Sequence, residues 1–271
     1  MSDRHILRFD RIDRTMHGFL MLSFLGLAAT GLPVLFSDAA WGATLATALG
    51  GFPVAHAMHR VFATIMITVF LSHVARLIYR VVAQQNYGIF WGPSSMVPQP
   101  KDISDMYRQI RWFLGRGPRP VFDRYTYWEK FDYWAVFWGM GIIGGSGLLL
   151  WFPVFFSKLL PGWVYNIALL VHGEEALLAV GFIFTIHFFN GHLRPEKFPM
   201  DMVIFTGRVH EHELMAERPA EYERDRAAGR LRLTGPPSRR AWVIGRIIGT
   251  TAVVTGLALV ALILYAVAAD L

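Results

Sequence analysis

The chain has 271 residues, 54% of them hydrophobic and 17% charged, and its mean hydropathy of +0.37 is one that soluble domains of this size rarely reach. The lack of cysteine excludes disulfides, Cys-ligated iron–sulfur clusters, Cys-type zinc sites and thioether-attached haem, which leaves ten histidines, eleven methionines and the carboxylates as metal ligands. A formal net charge of +6 would point to nucleic acid in a soluble protein, so the placement of that charge along the chain has to be read first.

Roughly 20 mainly apolar residues in a helix cross the hydrocarbon of a bilayer. Stretches at about 15–36, 54–82, 130–152, 164–190 and 242–268 qualify. Arg4, Arg8, Arg11 and Arg14 precede the first like the n-region of a signal peptide, but its apolar run is longer than a signal core and reads as a retained helix. Of the 26 Lys and Arg, 24 lie in the N-terminal segment, the 76–130 loop and the 194–246 segment. The connections at 37–53 and 153–163 hold only Lys158, and Arg60 falls inside the second span. The positive-inside rule then predicts a multi-pass protein of a bacterial inner membrane, with the N-terminus cytoplasmic and Leu271 outside. Topology and contact with membrane lipid account for the basic charge, and no nucleic-acid partner is expected.

Between spans two and three, residues 102–115 set Ile103, Met106, Tyr107, Ile110 and Leu114 at helical spacing and end on Gly115. The pattern predicts a short amphipathic helix, either on the cytoplasmic membrane surface or packed on protein. Tyr125, Tyr127, Trp128, Tyr133 and Trp134 fit one aromatic belt, and Trp151 and Trp163 the other. The expected fold class is an all-α integral membrane protein: residues 1–200 form a four-helix transmembrane bundle, 201–241 a polar cytoplasmic tail, and 242–271 a fifth transmembrane helix. No internal repeat stands out.

Ionisable residues inside a span are costly and therefore functional candidates. Five histidines qualify: His17 near the cytoplasmic end of span one, His59 and His172 toward the periplasmic side, and His73 and His187 toward the cytoplasmic side. The intervals of 14 and 15 residues on spans two and four each cover about 21 to 23 Å of depth and return to the same helix face within about 40° and 60°. Two facing pairs at two depths are what a stack of two bis-histidine b-type haems requires. A single buried histidine is ordinarily bonded to a neighbouring carbonyl; matched depths point to a common cause. Arg60 beside His59 is a candidate partner for a haem propionate. Glu174 and Glu175, within a turn of His172, are candidates to orient its ring or to exchange protons. Gly139–Gly144 matches a dinucleotide fingerprint, but inside an apolar span it reads as close packing or room for a haem plane. His210-Glu-His212-Glu reads as a solvated charge run.

The stretch Arg11-Ile-Asp-Arg-Thr-Met-His17-Gly with Thr30-Gly31-Leu-Pro33 resembles the first span of the gamma-subunit cytochrome b of respiratory formate dehydrogenases, a family related to the cytochrome b subunits of membrane hydrogenases and thiosulfate reductases. His59-Arg-Val-Phe-Ala, Ser146-Gly-Leu-Leu-Leu-Trp151-Phe-Pro153 and Leu170-Val-His172 through Ile186-His187 are similar to its later spans. Trp128-Glu-Lys-Phe-Asp-Tyr-Trp134, His172-Gly-Glu-Glu-Ala and Leu193-Arg-Pro-Glu-Lys-Phe-Pro199 look closer to the branch that partners periplasmic multihaem c-type cytochromes. The resemblance covers about residues 5–210 and leaves the fifth span outside its four-helix pattern. It implies two haem b groups, His59 and His172 as iron ligands of the periplasmic one, and His17 with His187 at the cytoplasmic one. His73 stands at the same depth and is an equal alternative to His17 as partner of His187.

The resemblance further implies electron transfer between the quinone pool (menaquinone or ubiquinone) and a periplasmic redox subunit, either a multihaem cytochrome or an iron–sulfur subunit. The quinone site would lie near His17, His73 and His192, and no complete substrate site is expected in this chain. Quinol oxidation feeding a periplasmic cytochrome or reductase is the alternative direction, and a non-redox metal or proton transporter is the alternative of another class.

Overall fold

The computed structural model describes residues 4–269, so Leu271 and its side of the membrane lie outside the described residues. The protein is mostly helical, with five helices long and apolar enough to cross a membrane: Arg11–Leu35, Phe52–Val82, Tyr127–Trp151, Trp163–Leu193 and Arg239–Ala269. All five expected spans are present, each extending to or beyond the apolar run at one or both ends. A further helix, Ala40–Ala48, occupies the connection between the first two. The chain re-enters span two through Gly50 and Gly51, both at positive φ, where a side chain would be strained.

The chain divides into two compact units, each assembled from three separate stretches. One comprises Thr15–His73, Phe137–Asp201 and Ile244–Leu271. Its core joins Ala28 and Leu32 of span one, Val180, Phe184 and Phe188 of span four, and Val253, Leu259 and Ile263 of span five. The fifth span is therefore packed into the same core as the first and fourth. Between lipid-facing helices the hydrophobic effect is small and close van der Waals contact decides, which favours glycine at crossings. A Cβ on Gly256 would fall 2.7 Å from both Phe184 and Phe188, and one on Gly26 would fall 2.5 Å from the ring of Phe62. These two glycines let span five approach span four and span two approach span one.

The other unit comprises Met1–Arg14, Val74–Val136 and Met202–Val243. The expected tail at 201–241 falls in this unit, which also holds a small three-stranded sheet within the otherwise helical chain. Its strands are β1 (His5–Leu7), β2 (Arg208–His210) and β3 (Leu233–Thr234), in the order β2-β1-β3. β1 pairs antiparallel with both neighbours, Ile6 opposite Val209 on one side and Leu233 on the other. Ile6 and Val209 pack with Val203, Leu214 and Tyr222 into a separate small core.

Charge pairs tie these stretches together. Glu221, buried on a segment remote in sequence, accepts hydrogen bonds from Arg8 Nη1 and Arg124 Nη1, both at 2.8 Å. Arg218 donates to both carboxylate oxygens of Glu129, at 3.0 and 2.9 Å. Glu129 also accepts from the backbone N–H of Thr126, which closes a capping box at the start of span three. Arg76 grips Asp10 at 2.8 Å and Asp13 at 2.5 Å at the start of span one. The amphipathic helix runs from Pro100 to Phe113, two residues earlier at each end than the expected 102–115, because Gln99 caps it reciprocally with Asp102 and Pro100 takes its first position.

Removing the carboxylate of Glu221 leaves two arginines facing each other in a buried place. Glu221→Ala is expected to destabilise this unit by about 3 to 5 kcal/mol, read as a lower thermal midpoint in detergent; an unchanged midpoint would contradict the role given to the triad. At Asp10, burial raises the carboxyl pKa, but the hydrogen bond from the Asp13 backbone and the charge of Arg76 outweigh it and hold the pKa below its ordinary value. A depressed folded pKa means that the stability Asp10 contributes is complete above about pH 4 and is lost as the pH falls through the folded value. Asp10→Asn should therefore flatten the acid limb of midpoint against pH; an identical limb in the variant would contradict this.

Candidate metal centre

His59 on span two and His172 on span four face each other with ring centroids 6.2 Å apart and planes at 73°. Each ring is held through Nδ1. His172 Nδ1 lies 3.0 Å from the carbonyl of Ile143 and 3.3 Å from Ser146 Oγ. A carbonyl only accepts, so His172 carries its proton on Nδ1. His59 Nδ1 lies 3.0 Å from Thr30 Oγ1, whose own proton is directed at the carbonyl of Gly26, 2.6 Å away. Thr30 therefore accepts, and His59 is the Nδ1–H tautomer as well. Both rings are left with a lone pair on Nε2, the atom that binds a metal when the opposite nitrogen is held by a neighbour.

The supports of the two rings match. In Thr30-Gly31-Leu32 and Ser146-Gly147-Leu148 a hydroxyl bonded back to the carbonyl four residues earlier meets the Nδ1 edge, and the glycine lies against the ring. A Cβ would stand 3.1 Å from His59 Cε1 at Gly31 and 3.0 Å from His172 Cε1 at Gly147. Spans one and two thus repeat the device of spans three and four, a repeat that inspection of the sequence alone missed. Its signal was the recurrence of Thr/Ser-Gly-Leu, 29 residues before His59 and 26 before His172. Ile143 sits in a π turn, Met140–Gly144, where the looser backbone ladder opens carbonyls to side-chain donors. The Gly139–Gly144 run therefore lies inside a helix, as its apolar setting suggested.

At the second level, His187 ends another π turn, Ile183–His187, and His192 lies in a third, Phe189–Leu193. A π turn absorbs one extra residue, so the 15 residues from His172 to His187 are phased as the 14 from His59 to His73 in an unbroken helix. His17 interacts electrostatically with both His187 and His192, and His192 with His187, so these three are brought together. His73 packs edge-on against Phe137 of span three, centroids 6.3 Å apart.

Arg60 is exposed and its guanidinium lies 5.7 Å from the ring centre of Trp151, so it is not enclosed. Glu175 accepts a 3.2 Å hydrogen bond from Trp138 Nε1, while the orienting of His172 falls to Ile143 and Ser146 and to neither glutamate. In the sheet unit the His210 ring lies 3.9 Å from that of His5 and 5.1 Å from that of His212, centre to centre, both pairs tilted. Among the described residues no group of three or more His, Asp or Glu is arranged to hold a metal ion.

No protein-family model and no curated protein matches the chain. The tautomers are directly testable in the metal-free protein labelled with 15N-histidine. His59 and His172 should show a protonated Nδ1 and a pyridine-type Nε2, and Thr30→Val should release His59 into the usual mixture; Nε2–H signals for both in the wild type would contradict the assignment.

Proposed function

We propose that the chain is a membrane cytochrome b subunit of a respiratory oxidoreductase complex, carrying electrons between the quinone pool and a periplasmic redox partner through two bis-histidine b-type haems. The observation that carries this reading is the pairing of His59 and His172, 6.2 Å apart between ring centres and each held through Nδ1. A metal–imidazole bond of about 2.0 Å would let one metal ion be held between two rings so separated. Two protein donors alone do not make a site for a bare cation, which takes four or more ligands. Haem brings four nitrogens of its own and asks the protein only for the two axial ones.

Held by His59 and His172, such a group would supply one-electron chemistry of its iron. Thr30, Ser146 and the Ile143 carbonyl hold the Nδ1–H groups and raise the basicity of the ligating nitrogens. Gly31 and Gly147 leave room beside the rings that any side chain would fill. Arg60, exposed beside His59, supplies positive charge for an anionic propionate edge. For the second group we assign His187 and His17, which lie within electrostatic range of each other. His73 and His192 remain close enough in depth to serve quinone at that end.

The distribution of Lys and Arg supports a cytoplasmic N-terminus in a bacterial inner membrane, which makes the His59 and His172 level periplasmic. The partner there is a multihaem c-type cytochrome or an iron–sulfur subunit, in keeping with the sequence resemblance. Haem content per chain tests the ligand set. His59→Ala and His172→Ala should each fall from two haems to one, His17→Ala should also lose one, and His73→Ala should keep both. Full content in both the His59 and His172 variants would overturn the reading, and loss in His73→Ala with retention in His17→Ala would overturn the second assignment.

A further inference from the structure

The amphipathic helix Pro100–Phe113 is turned outward. Asp105 and Gln109 are buried, 3% and 6% exposed, whereas Ile103 and Phe113 are 69% and 71% exposed. Met106, Tyr107, Ile110 and Leu114 are exposed with them. At 100° per residue these six apolar side chains share an arc of about 120°, separate from the face that carries Asp105 and Gln109. Asp105 is bonded to Lys101 and Asp102 to Lys130, so the acids are turned inward and neutralised.

Among residues 103–119 the exposed charges are all positive: Arg108, Arg111, Arg116 and Arg119. The turn before the helix exposes Tyr87, Phe90 and Trp91 in the same unit. Soluble surfaces do not keep nine large apolar side chains outward while burying acid and amide. The segment is also tied on both sides to the ends of apolar spans, at Val82 and Tyr127, so that headgroups are within its reach.

We propose that residues 87–114 form an interfacial anchor, with the apolar arc of the helix seated among acyl chains and Arg108, Arg111, Arg116 and Arg119 set against anionic phospholipid headgroups. An outward apolar stripe flanked by arginine, with aromatic residues at its edge, is the composition that partitions into this layer. Sequestering Asp102 and Asp105 removes the repulsion that would otherwise oppose anionic lipid. The proposal does not depend on haem or quinone and stands or falls separately from them.

The cysteine-free chain allows single-site labelling. The full protein carrying Ile103→Cys, Tyr107→Cys or Ile110→Cys, with Ser104→Cys and Arg108→Cys as controls, is spin-labelled and reconstituted in phosphatidylcholine with and without one-third phosphatidylglycerol. Power saturation compares collision with oxygen, concentrated in acyl chains, and with a water-soluble nickel chelate. The three apolar positions should favour oxygen several-fold over nickel, the two controls should favour nickel, and the contrast should grow with phosphatidylglycerol. Replacing the four arginines by glutamine should abolish that growth while leaving the five-span fold intact. Equal nickel access at all positions would overturn the proposal. So would labels shielded from both reagents, which would mean a protein cover such as a second copy or partner subunit. Insensitivity to phosphatidylglycerol would overturn the role given to the arginines.

Discussion

Two hydrogen bonds decide what the apolar interior of this protein can do. By holding the Nδ1 protons of His59 and His172, Thr30 and the Ile143 carbonyl fix both rings in the tautomer that leaves Nε2 bare, and they fix the rings near each other with planes at 73°. A neutral imidazole with a free lone pair is a poor filler for a membrane protein core and a good ligand. The pair gives the bundle a polar requirement that packing alone does not meet, and the other features of the first and third spans follow from serving it. Gly31 and Gly147 keep their own side chains out of the way, and the π turn in span three presents the carbonyl.

The same economy extends to the second level. The π turn that ends on His187 restores the helical phase after 15 residues, so spans two and four repeat with equal register although their sequences differ by one residue. Spans one, four and five then close around Phe184, admitted by Gly256, which fixes span four, the element that carries His172, His187 and His192. In the unit that gathers the N-terminal strand and the polar segments, paired charges do the equivalent work: Glu221 between two arginines, and Asp10 and Asp13 on Arg76.

Much of this was readable in the sequence because the controlling patterns are local. Apolar runs show the spans, and a recurring helical phase at two depths shows the histidines. What escaped depends on contacts far apart in the chain or on departures from 3.6 residues per turn. The Arg8–Glu221–Arg124 triad joins segments 97 or more residues apart in sequence, and β1 pairs with strands beyond residue 200. No count along the chain distinguishes Arg60 enclosed from Arg60 lying over Trp151. Thr30 and Ser146 stood in plain view as Thr-Gly and Ser-Gly, but a hydroxyl in a helix commonly bonds its own backbone, and here each does so while also meeting the Nδ1 edge of an imidazole. The amphipathic helix was legible as a pattern; which of its faces turns outward was not.

The most direct measurement is the dithionite-reduced minus oxidised spectrum of the purified full chain, with a pyridine haemochrome assay for haem per chain. Two b-type haems, low-spin and six-coordinate, are expected from the two histidine levels. Protein made with an adequate haem supply that carries none, and shows no absorbance change on reduction, would contradict the electron-transfer reading and leave the intramembrane histidines to a metal or proton path.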